Sequence, residues 1–296
     1  MSGTVSLLTP IFEGTTGKDL LEGTLLPEFY KKYPNVKVNV DYTNYTKLQA
    51  KLTTSVASGL IPDVMIMGVG WVEGYAKNGV LADLGANGMT ADALSKVMNP
   101  RVVNAGVFEG KIYAAPIMLD SRFGVARKDL LAKAGFDHPP TTVQEWRDRA
   151  KALTVRDASG KLTRAGFDLE SNDPRQVFET LLFSQSGTLF NSDNTVPAFN
   201  SPAGVKALQL ETDLIRTDKV EDVGFSSTTA TVNPLINGRA AMGLAHNNLW
   251  TAAKAADPSV LANLEPFLIP GSDPSLFLGG SLATRASKAT NPAAAG

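Results

Sequence analysis

The chain has 296 residues, more than one ordinary core accommodates, so two domains are the expectation. At 43% hydrophobic and 19% charged it has the balance of a globular chain and not of a disordered one. A net charge of −1 without a run of Lys or Arg argues against a nucleic-acid surface, no segment nears the ~18 consecutive apolar residues of a membrane span, and the lack of cysteine excludes disulfides and thiolate sites.

Met1-Ser2-Gly3-Thr4 shows no basic region followed by an apolar stretch, so no signal peptide is expected within the chain. The next segments alternate strand and helix patterns. "TVSLLTP" is a short apolar run closed by Pro10, and "LLEGTLLPEFYKKYP" carries Leu21, Leu25, Leu26, Phe29 and Tyr30 at near-helical spacing up to Pro34. "NVKVNVDY" alternates Val36, Val38 and Val40, a half-buried strand. "NYTKLQAKLTTSVASG" is predicted as a helix with Leu48, Leu52 and Val56 inward and Gly59 as its C-cap. "IPDVMIMG" adds a buried strand, and the succession implies a mostly parallel sheet with helices on its faces.

Further along, "WVEGYAKNGVLADL" and "DALSKVMNPRVVNAGVF" are helical, and "GKIYAAP" is a strand leaving the first domain. "RKDLLAKAG" is a short helix closed by Gly135, and "FDHPPTTVQEWRDRAKALT" contains Thr142 and Glu145 at capping-box spacing. "DASG" (157–160) is a hairpin turn, "PRQVFETLLFSQSG" a helix, and "TLFNSDNTVPAFN" a turn-rich hairpin. Ser201 is placed to cap "SPAGVKALQLETDLIRT" with Pro202 at N1. "LINGRAAMGLAH" is a turn and short strand, and "NLEPFLIPG" a strand bounded by prolines.

Motifs for covalent chemistry are weak. His138 and His246 lie far apart without a metal-ligand partner at helical spacing, and "GGSLA" ends in Ala283 where an esterase elbow needs Gly. "GTTGKD" lacks the spacing of a phosphate loop and carries Asp19 where the magnesium-binding hydroxyl belongs, so it is predicted as an ordinary helix start. The loop carboxylates Glu13, Asp63, Asp120 and Glu170 could pair as in a glycosidase only if brought within ~5 to 9.5 Å. Asp63 in "IPDVM" is expected to be structural, accepting backbone N–H groups in a tight turn. His246 is a candidate pocket wall.

Trp71 directly follows "MGVG" at the C-terminal end of a predicted strand, where open α/β sheets bind ligands, and Trp250 follows "GLAHNN" at a comparable end of the second domain. Either Trp alone could be core filler. Two at matching strand ends, one beside Asn247 and Asn248, suggest a stacking platform with amide hydrogen bonds, suited to a sugar's apolar faces and hydroxyl rim.

"LPEFYKKYPNVKVNV" followed by "YTKLQAKLTTSVASGLIPDVMIM" resembles the N-terminal half of the extracellular solute-binding proteins of sugar-type ABC importers. "GKIYAAPIMLDSRFGVARKDLLAKAGFDHPPTTVQEWRDRAKALT" is similar to that family's hinge strand and the helix pair that opens its second lobe. "QSGTLFNSDNTVPAFNSPAGVKALQL", "LINGRAAMGLA" and "GGSLATRASKATNPAAA" fit later blocks in the right order, so the resemblance spans essentially the whole chain.

The resemblance implies an α/β, two-lobed periplasmic-binding-protein fold of type II, maltose-binding-protein-like, with each lobe a helix-flanked sheet joined by hinge strands. Lobe one would comprise 1–113 plus 263–296 and lobe two 114–262, with crossovers near Ala114–Pro116 and Glu265–Phe267. It implies a non-enzymatic, extracytoplasmic, monomeric carrier that takes a sugar or oligosaccharide between the lobes, closes, and delivers it to ABC permease subunits without a cofactor. The setting would be the periplasm or, as a lipoprotein, the outer face of the membrane, with the signal segment absent from this chain. Asp120, four residues after Pro116, matches the family's ligand-reaching carboxylate. The aromatic platforms map to Trp71 and Trp250, the Gly-Gly block to Gly280 and Ser281, and further contacts to Tyr45, Phe12 and Glu13. Asn247 is a hydrogen-bonding candidate, and Arg122 either forks onto a ligand acceptor or pairs with Asp120. Two departures stand out: Ala126 replaces a Tyr that many members carry six residues after the Asp, and members continue with helices that complete the second lobe, so lobe two is expected to be incomplete at its C-terminal side. Alternatives are a binder of a charged solute (a glycerophosphodiester, a polyamine or an iron complex) and, in another class, a carbohydrate-active enzyme.

Overall fold

The computed structural model describes residues 1–12, 14–191, 196–227 and 232–295. Among these the chain forms two units, Met1–Leu119 with Gly279–Gly296, and Asp120–Leu278. Eleven strands lie among the described residues. In chain order they are β1 (Gly3–Thr9), β2 (Val36–Tyr42), β3 (Val64–Gly68), β4 (Val107–Phe108), β5 (Lys111–Ile112) and β6 (Ala114–Arg127). The rest are β7 (Val155–Arg156), β8 (Leu162–Asp168), β9 (Ala240–His246), β10 (Leu264–Phe267) and β11 (Phe277–Arg285).

In unit one, β2 and β3 flank β1 in parallel, and β11 pairs antiparallel with β3, Ser281 opposite Gly68. The alternating valines of β2 are buried or half-buried while the residues between them are exposed, as expected of a strand at a sheet edge. Leu8, Met65, Met67 and Leu282 pack with Leu48 and Leu52 of the helix Tyr45–Ser58 to form the core. Asn44 caps that helix by accepting from Lys47 N at 3.1 Å, and Gly59 closes it at φ 74°. Val56 does not join Leu48 and Leu52; it is 36% exposed, because the last turn runs past the edge of the core.

The "GTTGKD" stretch is a helix start, as predicted. Helical backbone then runs from Gly14 to Lys32, with a widened, π-helical turn over Leu21–Leu25. Pro27 stands two residues beyond that turn, and a proline lacks the N–H and crowds the carbonyl of the preceding turn, which favours such a widening.

In unit two, β10 and β9 flank β6 antiparallel, β8 pairs parallel with β9, and β7 closes the β8 edge. Trp146, from the helix Val143–Leu153, meets Phe167 of β8 edge-on at 4.7 Å, both fully buried. Thr142 caps this helix by accepting from Glu145 N at 3.1 Å. The reciprocal half of the capping box lands one residue earlier: Glu145 accepts from Thr141 N and Oγ1, both at 2.8 Å. Ser201 caps the helix Pro202–Thr212 as its spacing predicts, and Asp173 caps Pro174–Ser184. The turn over 157–160 joins β7 to β8, with Asp157 Oδ1 accepting from Ser159 N. Phe190 and Pro197 bridge in the predicted 188–200 hairpin, whose tip, 192–195, lies outside the described residues.

The units part at 119/120 and 278/279 rather than at 113/114 and 262/263. The difference has a packing cause. β10 pairs with residues 124–127 of β6, Ile269 is buried in the unit-two core, and Asp273 N donates to Ser184 O, so residues 263–278 belong with unit two.

Candidate functional site

Unit one gathers three of the predicted residues at the C-terminal end of β3. Trp71 begins the helix Val72–Lys77 just beyond that end, and Tyr45 begins the helix after β2. Their rings meet edge-on at 6.3 Å, and the hydroxyls of Tyr45 and Ser281 are hydrogen-bonded at 2.6 Å. Ser281 is buried, whereas Tyr45 is 41% exposed, so the phenol is anchored at its hydroxyl while part of the residue faces outward. Gly68, opposite Ser281, completes the floor: a Cβ there would sit 3.6 Å from the Tyr45 ring and 3.7 Å from Trp71 Nε1. Gly280 runs so close to β6 that a Cβ would lie 2.3 Å from Met118 O. Phe12 is half-buried in the bend after β1, and Glu13 lies outside the described residues.

Unit two builds a polar cluster on one face of β6. Side chains two apart on a strand share a face, and so Asp120 stands beside Arg122, while antiparallel register sets His246 opposite Arg122. Arg122 Nη1 donates to Asp120 Oδ2 at 2.6 Å, and Arg122 Nε donates to Gln176 Oε1 at 2.8 Å. His246 Nδ1 lies 3.5 Å from Asp120 Oδ1. The guanidinium is 5.7 Å from the Phe277 ring centre, and Arg175 stacks near the same ring at 5.9 Å.

Burial works against the Asp120 charge, but contacts from His246 and Arg122 outweigh it and hold the carboxyl below its ordinary range. Burial likewise lowers Arg122, with the Asp120 carboxylate pulling the other way. Arg122 is 5% exposed and committed to two protein partners, whereas the Asp120 side chain keeps 28% exposure. The cluster therefore presents a carboxylate outward and holds a guanidinium behind it.

Trp250 is not gathered into this cluster. Its ring packs at 5.6 Å on Phe123, which alternation places on the opposite face of β6 from Arg122. Asn247 is exposed in the turn after β9. His246, which motif reasoning offered only as a wall, and Gln176 and Phe277, which it did not single out, are the residues that complete the cluster. Their only local signals are positions near an element end, and they reach Arg122 from afar: Gln176 from 54 residues along the chain, and His246 through a strand register that spans more than a hundred.

The other loop acids serve elsewhere. Asp63 accepts from Ser6 N and Oγ at 2.8 and 2.7 Å and from Thr290 N and Oγ1 at 2.5 and 2.8 Å, tying β1 to the closing segment rather than bracing a tight turn. Glu170 accepts from Gly224 N at 2.7 Å. Among the described residues no group of three His, Asp or Glu side chains stands close enough to hold a metal ion.

Residues 15–295 match the family model of the bacterial extracellular solute-binding proteins. The chain belongs to this family. A binding protein of Brucella abortus is 24% identical to this solute-binding protein over 187 residues, 63% of this chain and 44% of its own. Diacetylchitobiose binding protein DasA of Streptomyces coelicolor is 27% identical over 281 residues, 92% of this chain and 63% of that one. The chain thus matches less than two thirds of the length of these curated relatives.

Two solved structures resemble this solute-binding protein over its full length. An ABC substrate-binding protein from Listeria monocytogenes, in complex with cycloalternan, has a TM-score of 0.81 at 24% identity, covering 100% of this chain and 74% of that one. The GacH receptor of Streptomyces glaucescens, solved unliganded and with acarbose, has a TM-score of 0.80 at 25% identity, with the same coverage. The fold of this solute-binding protein is accordingly the α/β, type II periplasmic-binding-protein fold. Among the described residues no helix is long and apolar enough to cross a membrane.

Proposed function

We propose that this chain is the substrate-binding component of an ABC importer, that it binds a sugar or oligosaccharide without altering it, and that it delivers this solute to a membrane permease. One observation carries the reading: an ionised, partly exposed Asp120 is held outward by a buried arginine. A carboxylate so placed accepts hydrogen bonds from neutral hydroxyls without needing a proton of its own. The partly exposed Tyr45–Trp71 pair supports the same ligand class, because sugars offer apolar C–H faces to aromatic rings. A relative named for diacetylchitobiose, and similar structures solved with cycloalternan and with acarbose, agree with it.

In this reading the ligand-contacting residues are Tyr45, Trp71, Phe12, Glu13 and Gly280 from unit one, and Asp120, Asn247 and His246 from unit two. Arg122 holds Asp120 and Ser281 holds Tyr45, while Trp250 packs on Phe123 away from the cluster. The protein acts outside the cytoplasm as a monomer. The commitment of Arg122 to Asp120 and Gln176 weighs against a phosphate ester as the solute.

A thermal-shift panel of neutral mono- and oligosaccharides, sugar phosphates and polyamines tests this, since a ligand of the native state raises the unfolding midpoint. At least one neutral saccharide raises the midpoint and is recovered intact. A shift confined to the charged solutes, or recovery of cleavage products, overturns the reading.

A further inference from the structure

Two carboxylic side chains of unit two are buried in one region, and no ion pair to a cation is found for either among the described residues. Asp168 ends β8 and Glu221 lies in the segment that follows Thr217; they are 1% and 0% exposed. The Glu221 carboxyl takes the backbone N–H of Leu169, the residue that follows Asp168, at 2.6 Å, so the two acids lie next to each other in the interior, where two carboxylates without a counter-charge do not both ionise. Glu221 Oε2 accepts from Leu169 N at 2.6 Å and from Glu170 N at 3.3 Å. Its other oxygen, Oε1, is buried without an N–H or hydroxyl partner. Asp168 is already supplied with donors, accepting from Ser171 N at 3.1 Å and from the Ser171 hydroxyl. This division assigns the proton to Glu221 Oε1, the one carboxyl oxygen of the pair's glutamate left without a donor.

The charged groups around the pair offer no substitute for that proton. Glu170, in the same loop, adds negative charge and is spent on Gly224 N. Arg156 is bound bidentately by Asp222 at 2.7 and 2.6 Å, and Arg239 lies over the Phe225 ring at 4.1 Å. Lys219 is exposed and acts on Asp222. β9 contributes Gly243 against Asp168 and has no titratable side chain before His246.

We propose that Asp168 and Glu221 share a single proton and that this proton clasps the segment around Glu221 onto the ends of β8 and β9, so that this unit becomes more stable as the pH falls. Burial and the Asp168 charge push Glu221 up to about 9. An unfolded chain releases the same proton near the ordinary glutamate value of ~4.3. The stabilisation is complete below that value and is lost as the pH rises towards the folded one, by up to about tenfold in the folding constant per pH unit. The clasp stands behind the polar cluster. Asn172 Nδ2 donates to Leu244 O at 3.0 Å, two residues before His246, and the helix that begins at Pro174 carries Gln176.

Urea unfolding of the full chain at pH 5, 6, 7 and 8 tests this, with Glu221→Gln as the variant, because a glutamine keeps a donor for Asp168 and an acceptor for Leu169 but cannot titrate. The wild-type folding constant falls with rising pH, and E221Q flattens that fall by up to tenfold per unit. Infrared spectra of the wild-type chain with isotope-labelled glutamate supply a readout independent of whether E221Q folds: a protonated glutamate carbonyl band persists at pH 7. A wild-type chain without that band at pH 7, or an E221Q slope equal to the wild-type one, overturns the proposal.

Discussion

Arg122 Nη1 donates to Asp120 Oδ2 at 2.6 Å while the carboxylate's other oxygen stands 3.5 Å from His246 Nδ1, so one side chain links β6 to β9 and still faces outward. Replacing Arg122 by Ala leaves Asp120 without its main counter-charge and Gln176 without its donor. Breaking a fully buried pair costs about 3–5 kcal/mol, and the partial exposure of Asp120 reduces this to about 2 kcal/mol. Urea unfolding at pH 7 reads that loss. Arg122→Lys does not restore it, because an ammonium cannot donate to Asp120 and Gln176 in the geometry of the planar fork.

Asp120→Asn separates binding from folding. The amide retains the shape and one acceptor but loses the charge that strengthens hydrogen bonds to hydroxyls. Bonds to a charged group contribute about 1.5–3 kcal/mol, so affinity for the saccharide found in the panel drops by roughly 10- to 100-fold in a calorimetric titration. An unchanged affinity removes Asp120 from the ligand site.

Asp63 governs stability in acid. Its burial would raise the carboxyl, but hydrogen bonds from Ser6 and Thr290 overcome this and bring it down to about 2. The unfolded value is ~3.9, so the native state binds the proton less tightly. The stabilisation is present above that value and is lost as the pH falls through about 2. Asp63→Asn therefore unfolds more readily at pH 7, and its unfolding midpoint loses the part of the decline between pH ~4 and 2 that Asp63 causes.

Much of this architecture is written in short-range pattern. The valines of β2, the caps Thr142 and Ser201, and the turn at 157–160 each depend on a few neighbouring residues, and each forms as its pattern predicts. What depends on distant partners was not legible. Nothing near Glu145 says that its carboxylate will choose Thr141, or near Pro266 that it will pair with Val125 and carry 263–278 into unit two. The same holds for the site. Tyr45, Trp71 and Ser281 come together because two helix starts converge on the middle of β11, and the two tryptophans look equivalent in sequence until Phe123 claims Trp250.

The buried aromatic pair of unit two sets the scale of its core. Trp146 and Phe167 meet edge-on at 4.7 Å, both at 0% exposure. Trp146→Ala leaves a large cavity and costs about 3–5 kcal/mol in urea unfolding. Trp146→Phe costs less, because Nε1 makes no hydrogen bond that the substitution would forfeit.

Trp71 and Trp250 should respond differently to the same truncation. Trp71 stands edge-on to Tyr45, whose phenol is fastened to buried Ser281 and which is itself partly exposed. If that aromatic corner holds the sugar, Trp71→Ala removes a central anchor and weakens binding by about 2 kcal/mol or more, roughly 30-fold. Tyr45→Phe keeps the ring but releases its tether, so its affinity falls by less than that of Trp71→Ala. Trp250 packs on Phe123 beside a core cluster, so its truncation lowers the unfolding midpoint more than the affinity. Calorimetric titration and urea unfolding of both alanine variants check the contrast. A Trp250→Ala protein of wild-type stability that no longer binds would instead place that ring against the ligand.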